Sequence, residues 1–92
     1  MNLTEDKQQI NDTVVWSKDN CPYCTKAKML LNSKGIRFEE RKVDGTTWTR
    51  ELLLEAAPNA KTFPQIWLHG NYIGGCDQLE KYFEDHDMWR ND

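Results

Sequence analysis

Two cysteines, Cys21 and Cys24, stand three positions apart in the segment KDNCPYCTKAKMLLNSKG, which covers residues 18–35. This spacing is compatible with a pair of metal ligands, with a structural disulfide or with a dithiol that exchanges electrons. The third cysteine is Cys76, and an odd number fits poorly with the disulfide framework of a secreted protein. A close pair in a reducing compartment is more often catalytic or metal-binding, so the structural disulfide is the weakest of the three interpretations.

A metal site is the second interpretation, and the rest of the sequence does not support it. A structural zinc site needs four ligands, usually from two paired clusters. His69 and His86 show no pairing that would complete such a set with the two cysteines. We therefore expect no metal. A purely structural alternative, in which the cysteines are small buried hydrophobic residues, leaves the neighbouring Pro22 and Lys18 unexplained.

The redox interpretation accounts for the neighbours of the cysteine pair. Pro22 suits the first position of a helix, where its missing N–H costs nothing, so Cys21 is predicted to cap a helix that contains Cys24. The unpaired N–H groups and the positive end of the helix dipole favour a thiolate at Cys21, and Lys18 adds its charge nearby. Cys21 is thus the predicted nucleophile. Cys24 would stay protonated until Cys21 is captured in a mixed disulfide, and would then release the product by attacking it.

The residues around the cysteines predict the elements that would position them. The segment TVVWSK at 13–18 is β-branched and aromatic, which is typical of a strand ending just before Cys21. Over residues 22–34 apolar residues recur at helical spacing, and Gly35 supplies a left-handed stop. The segment RFEERKV at 37–43 lies between that glycine and a turn, so it predicts a second strand parallel to the first.

The second half of the chain predicts a helix, a hairpin and a final helix. The hairpin lies within QIWLHGNYIGG at 65–75, where two short apolar runs stand about His69-Gly70-Asn71. The final helix begins at a capping box formed by Asp77 and Glu80, and its inner apolar stripe consists of Leu79, Tyr82 and Phe83. The middle helix ends before Pro58, and its predicted inner face consists of Trp48, Leu52, Leu53 and Ala56. The complete order is βαβαββα.

Length and charge limit the function classes. The 92 residues predict a single domain, with a core at about 13–85 and polar tails at 1–12 and 86–92. Twelve Lys and Arg stand against fifteen Asp and Glu, so a net charge of -3 gives no general attraction to nucleic acid or to an anionic membrane. The opening MNLTEDKQQIND has no apolar segment of a signal peptide, and no later run resembles a membrane span. We expect a cytoplasmic protein.

Three short motifs together resemble a known family. CPYC after a strand, TFP at 62–64 and GGCD at 74–77 occur in the order and spacing of a dithiol glutaredoxin of the thioredoxin-fold superfamily. The resemblance extends over about residues 13–85. It implies a thioredoxin-like α/β fold, in which three helices flank a four-stranded mixed sheet. It also implies that the protein uses glutathione to reduce glutathione mixed disulfides and protein disulfides, with that of ribonucleotide reductase as a candidate. We expect a monomer.

The resemblance assigns the segment before Pro64 to the binding of glutathione. Thr62 and Phe63 would hold the peptide backbone of glutathione, and Pro64 would be cis. A cis proline presents the preceding N–H and C=O outward, so that an extended tripeptide can add like a strand. Alternatively, Pro64 only opens the edge strand that follows. Phe63 departs from the family pattern, in which Val is commoner. Its larger ring would narrow the groove or change which protein substrates fit.

The resemblance also assigns the start of the last helix to the γ-glutamyl carboxylate of glutathione. Backbone N–H groups of Cys76 and Asp77 would bind this carboxylate, since a helix start is a ready anion site. Gly74 and Gly75 would let the ligand approach the backbone closely. The Asp77 carboxylate would accept from the ligand's α-amino group, or only cap the helix. Cys76 is expected to pack as a small apolar side chain, with a secondary glutathione adduct as the alternative.

The glycyl carboxylate of glutathione would meet Lys18 and Arg50. Arg50 matches the family position when residues are counted forward from the turn at Asp44, whereas counting back from Thr62 reaches Glu51. Arg50 would otherwise be a solvated helix charge. Tyr23 would line the pocket beside the active cysteine, or pack on the helix face.

Three other functions stay open at the level of sequence. A thioredoxin-like reductase recycled by a flavoprotein would use the same cysteine pair. An iron–sulfur carrier would ligate a cluster through Cys21 and glutathione between two protomers, but Pro22 argues against it because cluster-binding relatives usually have a small residue there. A redox-inert interaction domain could keep the fold, since fold does not establish activity.

Overall fold

Strand β1 (Val14–Ser17) lies inside a four-stranded sheet in the computed structural model, which describes residues 12–87. It pairs in parallel with β2 (Glu39–Lys42) and antiparallel with β3 (Gln65–Leu68). Strand β4 (Asn71–Gly74) pairs antiparallel with β3, which gives the order β2-β1-β3-β4. This is the predicted mixed sheet.

Three helices complete the described part of the chain. They are α1 (Pro22–Ser33), α2 (Arg50–Ala56) and α3 (Cys76–Asp87), so the predicted order βαβαββα is confirmed. Helices α1 and α3 pack on one face of the sheet and α2 packs on the other. The arrangement confirms the thioredoxin-like fold class. No helix among residues 12–87 has the length and apolar character needed to span a membrane.

The side chains of β1 alternate between two apolar clusters, because successive residues of a strand point to opposite faces of its sheet. All four residues of β1 are buried, as expected for a strand covered by helices on both faces. On the α2 face the buried cluster consists of Val14, Trp16 and Leu53. On the α1 and α3 face it consists of Val15, Ala27, Leu31, Ile66, Leu68, Cys76, Leu79 and Phe83.

The hairpin between β3 and β4 turns at His69 and Gly70, as predicted. Their φ angles are +51° and +88°, and two successive residues in the left-handed region are what a type I′ turn requires. The Gly70 N–H donates to the Asp12 carbonyl at 2.7 Å, and the His69 N–H donates to Thr13 Oγ1 at 3.1 Å. His69 therefore has a role in fixing the start of β1.

The predicted inner face of the middle helix is wrong in part. Helix α2 begins at Arg50, after Thr49, whose Oγ1 accepts from the Leu52 N–H at 3.2 Å. Trp48 thus precedes the helix, and its ring packs edge-on against Trp16 with centroids 5.3 Å apart. Leu52 is 38% exposed, while Leu53 is buried. A helix of seven residues has too few turns for its apolar spacing to define a face, so its contacts were decided by the packing on the sheet.

The predicted capping box at Asp77 is also wrong. Helix α3 begins one residue earlier, at Cys76, and Asp77 lies in its first turn. Gly75 occupies the N-cap position, since its carbonyl accepts from the Leu79 N–H at 3.0 Å. The Gln78 side chain reaches back and accepts from the Gly75 N–H at 2.9 Å, which is the N3 half of a capping box.

The polar tails were predicted at 1–12 and 86–92. Of these, residues 1–11 and 88–92 lie outside the described residues. His86 and Asp87 belong to α3, so the predicted start of the second tail is wrong. The His86 ring stacks on Tyr82 at 4.0 Å, and its Nδ1 lies 2.7 Å from the Tyr82 carbonyl oxygen. Stacking and a local hydrogen bond therefore extend the helix beyond its apolar stripe.

Glu40 on β2 ties three elements together. Its Oε2 accepts from Ser17 Oγ of β1 at 2.6 Å and from Lys28 Nζ of α1 at 2.7 Å. These two donors, Lys28 first, hold the pKa of the Glu40 carboxyl below its usual range. A carboxylate with a lowered pKa stabilises the fold above its ordinary pKa of about 4.3, and this contribution is lost as the pH falls through the lower folded value.

We predict that Lys28→Gln lowers the free energy of unfolding at pH 7 by about 1 kcal/mol or less, since the pair is partly solvated. The difference from the wild type should shrink toward pH 3, where the contribution of Glu40 is being lost. Urea unfolding followed between pH 7 and pH 3 measures this. Lys81→Gln is the control, because the Lys81–Asp85 pair is 3.8 Å apart and exposed. An equal loss at both pH values for Lys28→Gln would contradict the assignment.

Candidate active site

Cys21 lies at the N-terminus of α1, where the chain leaves the carboxyl end of β1. It is the N-cap residue, with φ and ψ of -127° and 94°, and Pro22 takes the first helical position. Asn20 before it has a φ of +56°, a left-handed conformation that Asn tolerates better than most residues. The predicted start of the helix is therefore confirmed.

The Cys21 sulfur meets the amino end of its own helix. The Cys24 N–H donates to Cys21 Sγ at 3.1 Å and to the Cys21 carbonyl at 3.1 Å, and the Thr25 N–H donates to the same carbonyl at 3.2 Å. Hydrogen bonds to sulfur favour its charged form, as does the helix dipole. The arrangement matches the electrostatic requirement for a nucleophilic thiolate at Cys21.

The two cysteines form a disulfide, so the structure describes the oxidised protein. Their Cα atoms are 5.2 Å apart, within the usual range for a disulfide. Cys21 is partly accessible, whereas Cys24 is only 1% exposed. A substrate can therefore reach Cys21, whereas the surrounding protein shields Cys24 from a substrate. This asymmetry agrees with the predicted roles of nucleophile and resolving cysteine.

A depression of about 420 Å³ opens beside Cys21 toward helix α2. Its cations are Lys18, Arg50 and Lys61, which together we name the cationic end. The Glu51 side chain is not part of the lining, so the structure brings Arg50 to the site and leaves the alternative from the backward count outside it. The remaining lining residues are Asn20, Cys21, Pro22, Tyr23, Thr62 and Phe63.

Phe63 organises the cationic end. Lys18 Nζ lies 5.7 Å from the centroid of its ring and Arg50 Cζ lies 6.0 Å from it. Both distances are within the reach of a cation–π attraction. The ring itself packs against the buried cluster on the α2 face, so it is held from the core side. Phe63, where the resemblance leads one to expect Val, thus gives two flexible cations a common aromatic contact.

A second depression, of about 300 Å³, continues from the first one toward helix α3. The two share Tyr23, Thr62 and Phe63, so they form one groove that passes the active cysteine. We name its far part the helix end; it is lined by Pro64, Gly75, Cys76, Asp77 and Gln78. The groove therefore runs from three cations to the N-terminus of a helix.

The peptide bond between Phe63 and Pro64 is cis, as the resemblance predicted. The Thr62 carbonyl accepts from Gln65 Nε2 at 2.9 Å, so it is turned toward the sheet. Within residues 12–87, no protein group forms a hydrogen bond with the N–H or C=O of Phe63. Phe63 lines both parts of the groove, so an extended peptide bound there could pair with these two backbone groups.

At the helix end, Gln78 is a residue that the sequence analysis missed. A Cβ on Gly74 or Gly75 would lie 3.3 Å from the Gln78 side chain, so the two glycines make room for this residue as well as for a ligand. Gln78 Oε1 also accepts from the Gly75 N–H. The N–H groups of Cys76 and Asp77 belong to the first turn of α3, where the helix itself offers no acceptor. The sequence could have indicated this capping role, because Gln78 stands three positions after a glycine that can cap a helix.

Lys61 and Asn20 were missed as well. Both line the depression beside Cys21, and neither belongs to a motif of its own. Lys61 directly precedes the TFP segment, so its proximity to the groove could have been inferred from that neighbour. Tyr23 is 59% exposed, which shows that its ring forms the wall of the groove instead of packing in the core.

Cys76 differs from Cys21 in its accessibility. It is buried in the apolar cluster of the α1 and α3 face. Burial first, and the charge of Glu80 second, raise the pKa of the Cys76 thiol. Among residues 12–87 there is no group of three or more His, Cys, Asp or Glu side chains that could hold a metal ion.

Comparison with known proteins gives a consistent family. The glutaredoxin family model matches residues 13–73. Over 65 residues the chain is 43% identical to glutaredoxin 3 of Escherichia coli K12, which covers 71% of this chain and 77% of that protein. A crystal structure of a buckwheat glutaredoxin–glutathione complex is similar with a TM-score of 0.71 and 28% identity, covering 98% and 86% of the two chains. The dithiolic glutaredoxin 2-C-Grx1 of Trypanosoma brucei brucei is similar with a TM-score of 0.73 and 30% identity, covering 92% and 90%.

We predict that iodoacetamide modifies Cys21 of the reduced protein at pH 6.5 at least about tenfold faster than Cys76, because only Cys21 has its thiolate stabilised and accessible. Mass spectrometry of the separated peptides measures both rates in one sample. Cys76 acts as the internal control. Equal rates for the two residues would contradict the assignment, as would a Cys21 rate that falls tenfold per pH unit from about 8.5 downward, like that of a free thiol.

Proposed function

Because the chain belongs to the glutaredoxin family, and is therefore a thiol-disulfide oxidoreductase, we propose that its reductant is glutathione. In this proposal it reduces glutathione mixed disulfides and protein disulfides. The observation that carries the proposal is the groove beside Cys21, with cations at one end and a helix N-terminus at the other. The similar buckwheat protein was crystallised in complex with glutathione, which supports the same ligand for this chain.

Glutathione has a carboxylate at each end and a thiol between them, so its charge pattern fits this groove. The glycyl carboxylate would bind Lys18 and Arg50 at the cationic end, with Lys61 close by. The γ-glutamyl carboxylate would bind the N–H groups of Cys76 and Asp77 at the start of α3. With both ends held, the ligand's sulfur would lie near Cys21.

The middle of the ligand would pair with the protein backbone. The N–H and C=O of Phe63 would bind the extended peptide in the manner of an added strand, and the Thr62 side chain would lie beside it. Tyr23 would cover the ligand from the α1 side, since its ring borders both parts of the groove. The Asp77 carboxylate would accept from the α-amino group of the γ-glutamyl residue.

On a glutathionylated substrate, the Cys21 thiolate attacks the glutathione sulfur. The bond between that sulfur and the substrate breaks, and the substrate leaves as a thiolate that takes up a proton. A second glutathione thiolate then attacks the glutathione sulfur held by Cys21. Oxidised glutathione leaves and the Cys21 thiolate is restored, so two electrons have passed from glutathione to the substrate.

On a protein disulfide, both cysteines are needed. Cys21 attacks one substrate sulfur and forms a mixed disulfide, and Cys24 loses its proton and attacks Cys21 Sγ. The substrate leaves as a dithiol, and the protein is left with the Cys21–Cys24 disulfide that the structure contains. Two molecules of glutathione then return this disulfide to the dithiol.

The proposal includes the setting in which this chemistry would run. A dithiol of this kind depends on a pool of reduced glutathione, so we propose a cytoplasmic location. We propose in addition that the protein is a monomer. Ribonucleotide reductase is a candidate protein substrate, because its catalytic cycle produces a disulfide. No metal has a part in the proposed reaction.

We predict that Cys21→Ser lowers turnover of a glutathionylated peptide by at least about a thousandfold, because it removes the nucleophile. Cys24→Ser should keep most of this activity but lose the reduction of an intramolecular protein disulfide. Both assays use glutathione as the sole reductant and follow product thiols by mass spectrometry. If the wild type turned over only with a flavoprotein reductase, glutathione dependence would be refuted. Equal losses in both assays for Cys24→Ser would refute the division of roles.

We predict that Lys18→Gln and Arg50→Gln each raise KM for the glutathionylated peptide about threefold to tenfold, because each removes a partly solvated charge pair with the ligand. The value of kcat should change little, and the effect should weaken at high salt. Steady-state kinetics at low and high ionic strength measure this. Lys81→Gln, on the exposed face of α3, is the control. A loss confined to kcat would contradict the proposed contact.

A further inference from the structure

The groove is not the only depression that reaches the disulfide. A separate depression, of about 370 Å³, contacts Cys21 and Cys24 from the side of strand β2, away from Phe63. Its wall is strongly polar, and apart from Lys18 its charged residues have no part in the proposed binding of glutathione. These charged residues are Lys18, Asp19, Lys28, Glu40 and Lys42.

Lys28 is the cation of this depression that lies nearest to Cys24 along the chain. It follows Cys24 by four residues on α1, so the two side chains share one face of the helix. Its Nζ pairs with Glu40 Oε2 at 2.7 Å, and the two side chains are only 28% and 34% exposed. The Ser17 hydroxyl, which is buried, donates to the same oxygen and fixes the carboxylate in place.

The other ion pair of the depression is more strongly solvated. Lys42 and Asp19 are 2.8 Å apart, but their side chains are 51% and 71% exposed. Water and salt screen the field of such a pair far more than that of a partly buried one. The field of the Lys28–Glu40 pair is therefore less screened than that of the Lys42–Asp19 pair.

Reduction of the disulfide creates negative charge beside this pair. The half-reaction takes up two electrons and one proton, and leaves a thiolate on Cys21 and a thiol on Cys24. A positive charge near the sulfurs stabilises the thiolate, and so makes the disulfide easier to reduce and the dithiol a weaker reductant. Lys28 alone would act in this direction, whereas its pairing with Glu40 cancels most of its field.

We propose that Glu40 is a positioning residue for the redox couple: by holding and neutralising Lys28, it keeps the Cys21–Cys24 dithiol a stronger reductant. The couple belongs to the oxidoreductase chemistry itself, so the proposal does not depend on glutathione as the reductant. It gives a function to the contact between α1 and β2 beyond joining two elements. The remaining charges that face the sulfurs, Lys18 and the Lys42–Asp19 pair, stay unchanged when Glu40 is replaced.

A role for Glu40 as the base that deprotonates Cys24 is less consistent with its surroundings. The hydrogen bonds from Lys28 and Ser17 hold the pKa of the Glu40 carboxyl below its usual range. A carboxylate with a lowered pKa is a weak acceptor for a thiol proton, since an ordinary thiol already has a pKa about four units above that of Glu. The carboxylate therefore acts through its charge.

A charge-based role can be separated from a merely structural one with three variants. Glu40→Gln should shift the dithiol–disulfide equilibrium about fivefold to tenfold toward the dithiol, and Lys28→Gln should shift it in the opposite direction. A tenfold shift corresponds to about 30 mV for this two-electron couple. The double variant Lys28→Gln with Glu40→Gln has no ion pair but the same local net charge as the wild type, so its equilibrium should return to within about twofold of the wild-type value.

The equilibrium is measured against mixtures of reduced and oxidised dithiothreitol at pH 7 and low salt, by alkylation and mass spectrometry. Because no glutathione is present, failure here is distinguishable from failure of the proposed function. The controls are the single variants Asp19→Asn and Lys42→Gln and the double variant that combines them. Each should shift the equilibrium by less than about twofold. All shifts of the Lys28–Glu40 set should weaken in 1 M salt.

Two results would overturn the proposal. One is that both single variants shift the equilibrium in the same direction and the double variant shifts it at least as far, as expected for a purely structural pair. The other is that none of the folded variants shifts it. Circular dichroism and thermal unfolding establish folding, and if the neutral double variant does not fold, the exchanged pair Lys28→Glu with Glu40→Lys replaces it, again with an expected wild-type equilibrium.

Discussion

The chemistry of this protein depends on the contact between one sulfur and the amino end of a helix. The Cys24 N–H donates to Cys21 Sγ, and the helix dipole acts on the same atom. This contact exists because Pro22 starts the helix directly after the cysteine. On a mobile segment this contact would not hold the sulfur in a fixed position. The preceding strand β1 is buried on both faces and fixes the point at which α1 begins. The rigid sheet therefore supplies the position and the helix supplies the electrostatics.

A helix N-terminus that can stabilise negative charge occurs a second time, at the start of α3. There Cys76 and Asp77, in the first turn of the helix, line the groove, while Gln78 accepts from the N–H of Gly75. The two helix starts lie on either side of the segment that ends at the cis Pro64. The first helix start can stabilise a thiolate and the second can stabilise a carboxylate.

Charge is distributed unevenly around the disulfide. The chain has a net charge of -3, yet Lys18, Arg50 and Lys61 gather on one side of Cys21. On the side of β2, Lys28 and Lys42 are each paired with a carboxylate. Among residues 12–87, none of these three cations in the groove forms an ion pair with a carboxylate, and the proposed anionic ligand would neutralise them there. Lys28 and Lys42, behind the disulfide, are already neutralised by the protein.

Local signals in the sequence determined the parts of the structure that depend on neighbouring residues. Pro22 after Cys21 predicted the helix start, Gly35 its end and His69-Gly70 the hairpin, because the backbone preferences of these residues act within one turn of chain. The family motifs added the cis Pro64, which no local rule would have required. The order of elements and the parallel pairing of β1 with β2 followed from these signals and from the alternation of apolar residues.

Tertiary structure alone decided the contacts between residues that are distant in sequence. The sequence could not choose between Arg50 and Glu51, because that choice depends on how α2 sits on the sheet beside Phe63. It misassigned Trp48 to a helix, since the packing of that ring on Trp16 outweighs its helical spacing. It also gave no sign that Lys28 and Glu40 would meet behind the disulfide. Such pairings are set by the packing of one element on another, and a linear pattern of residue types does not encode the distance between two side chains that only the folded core brings together.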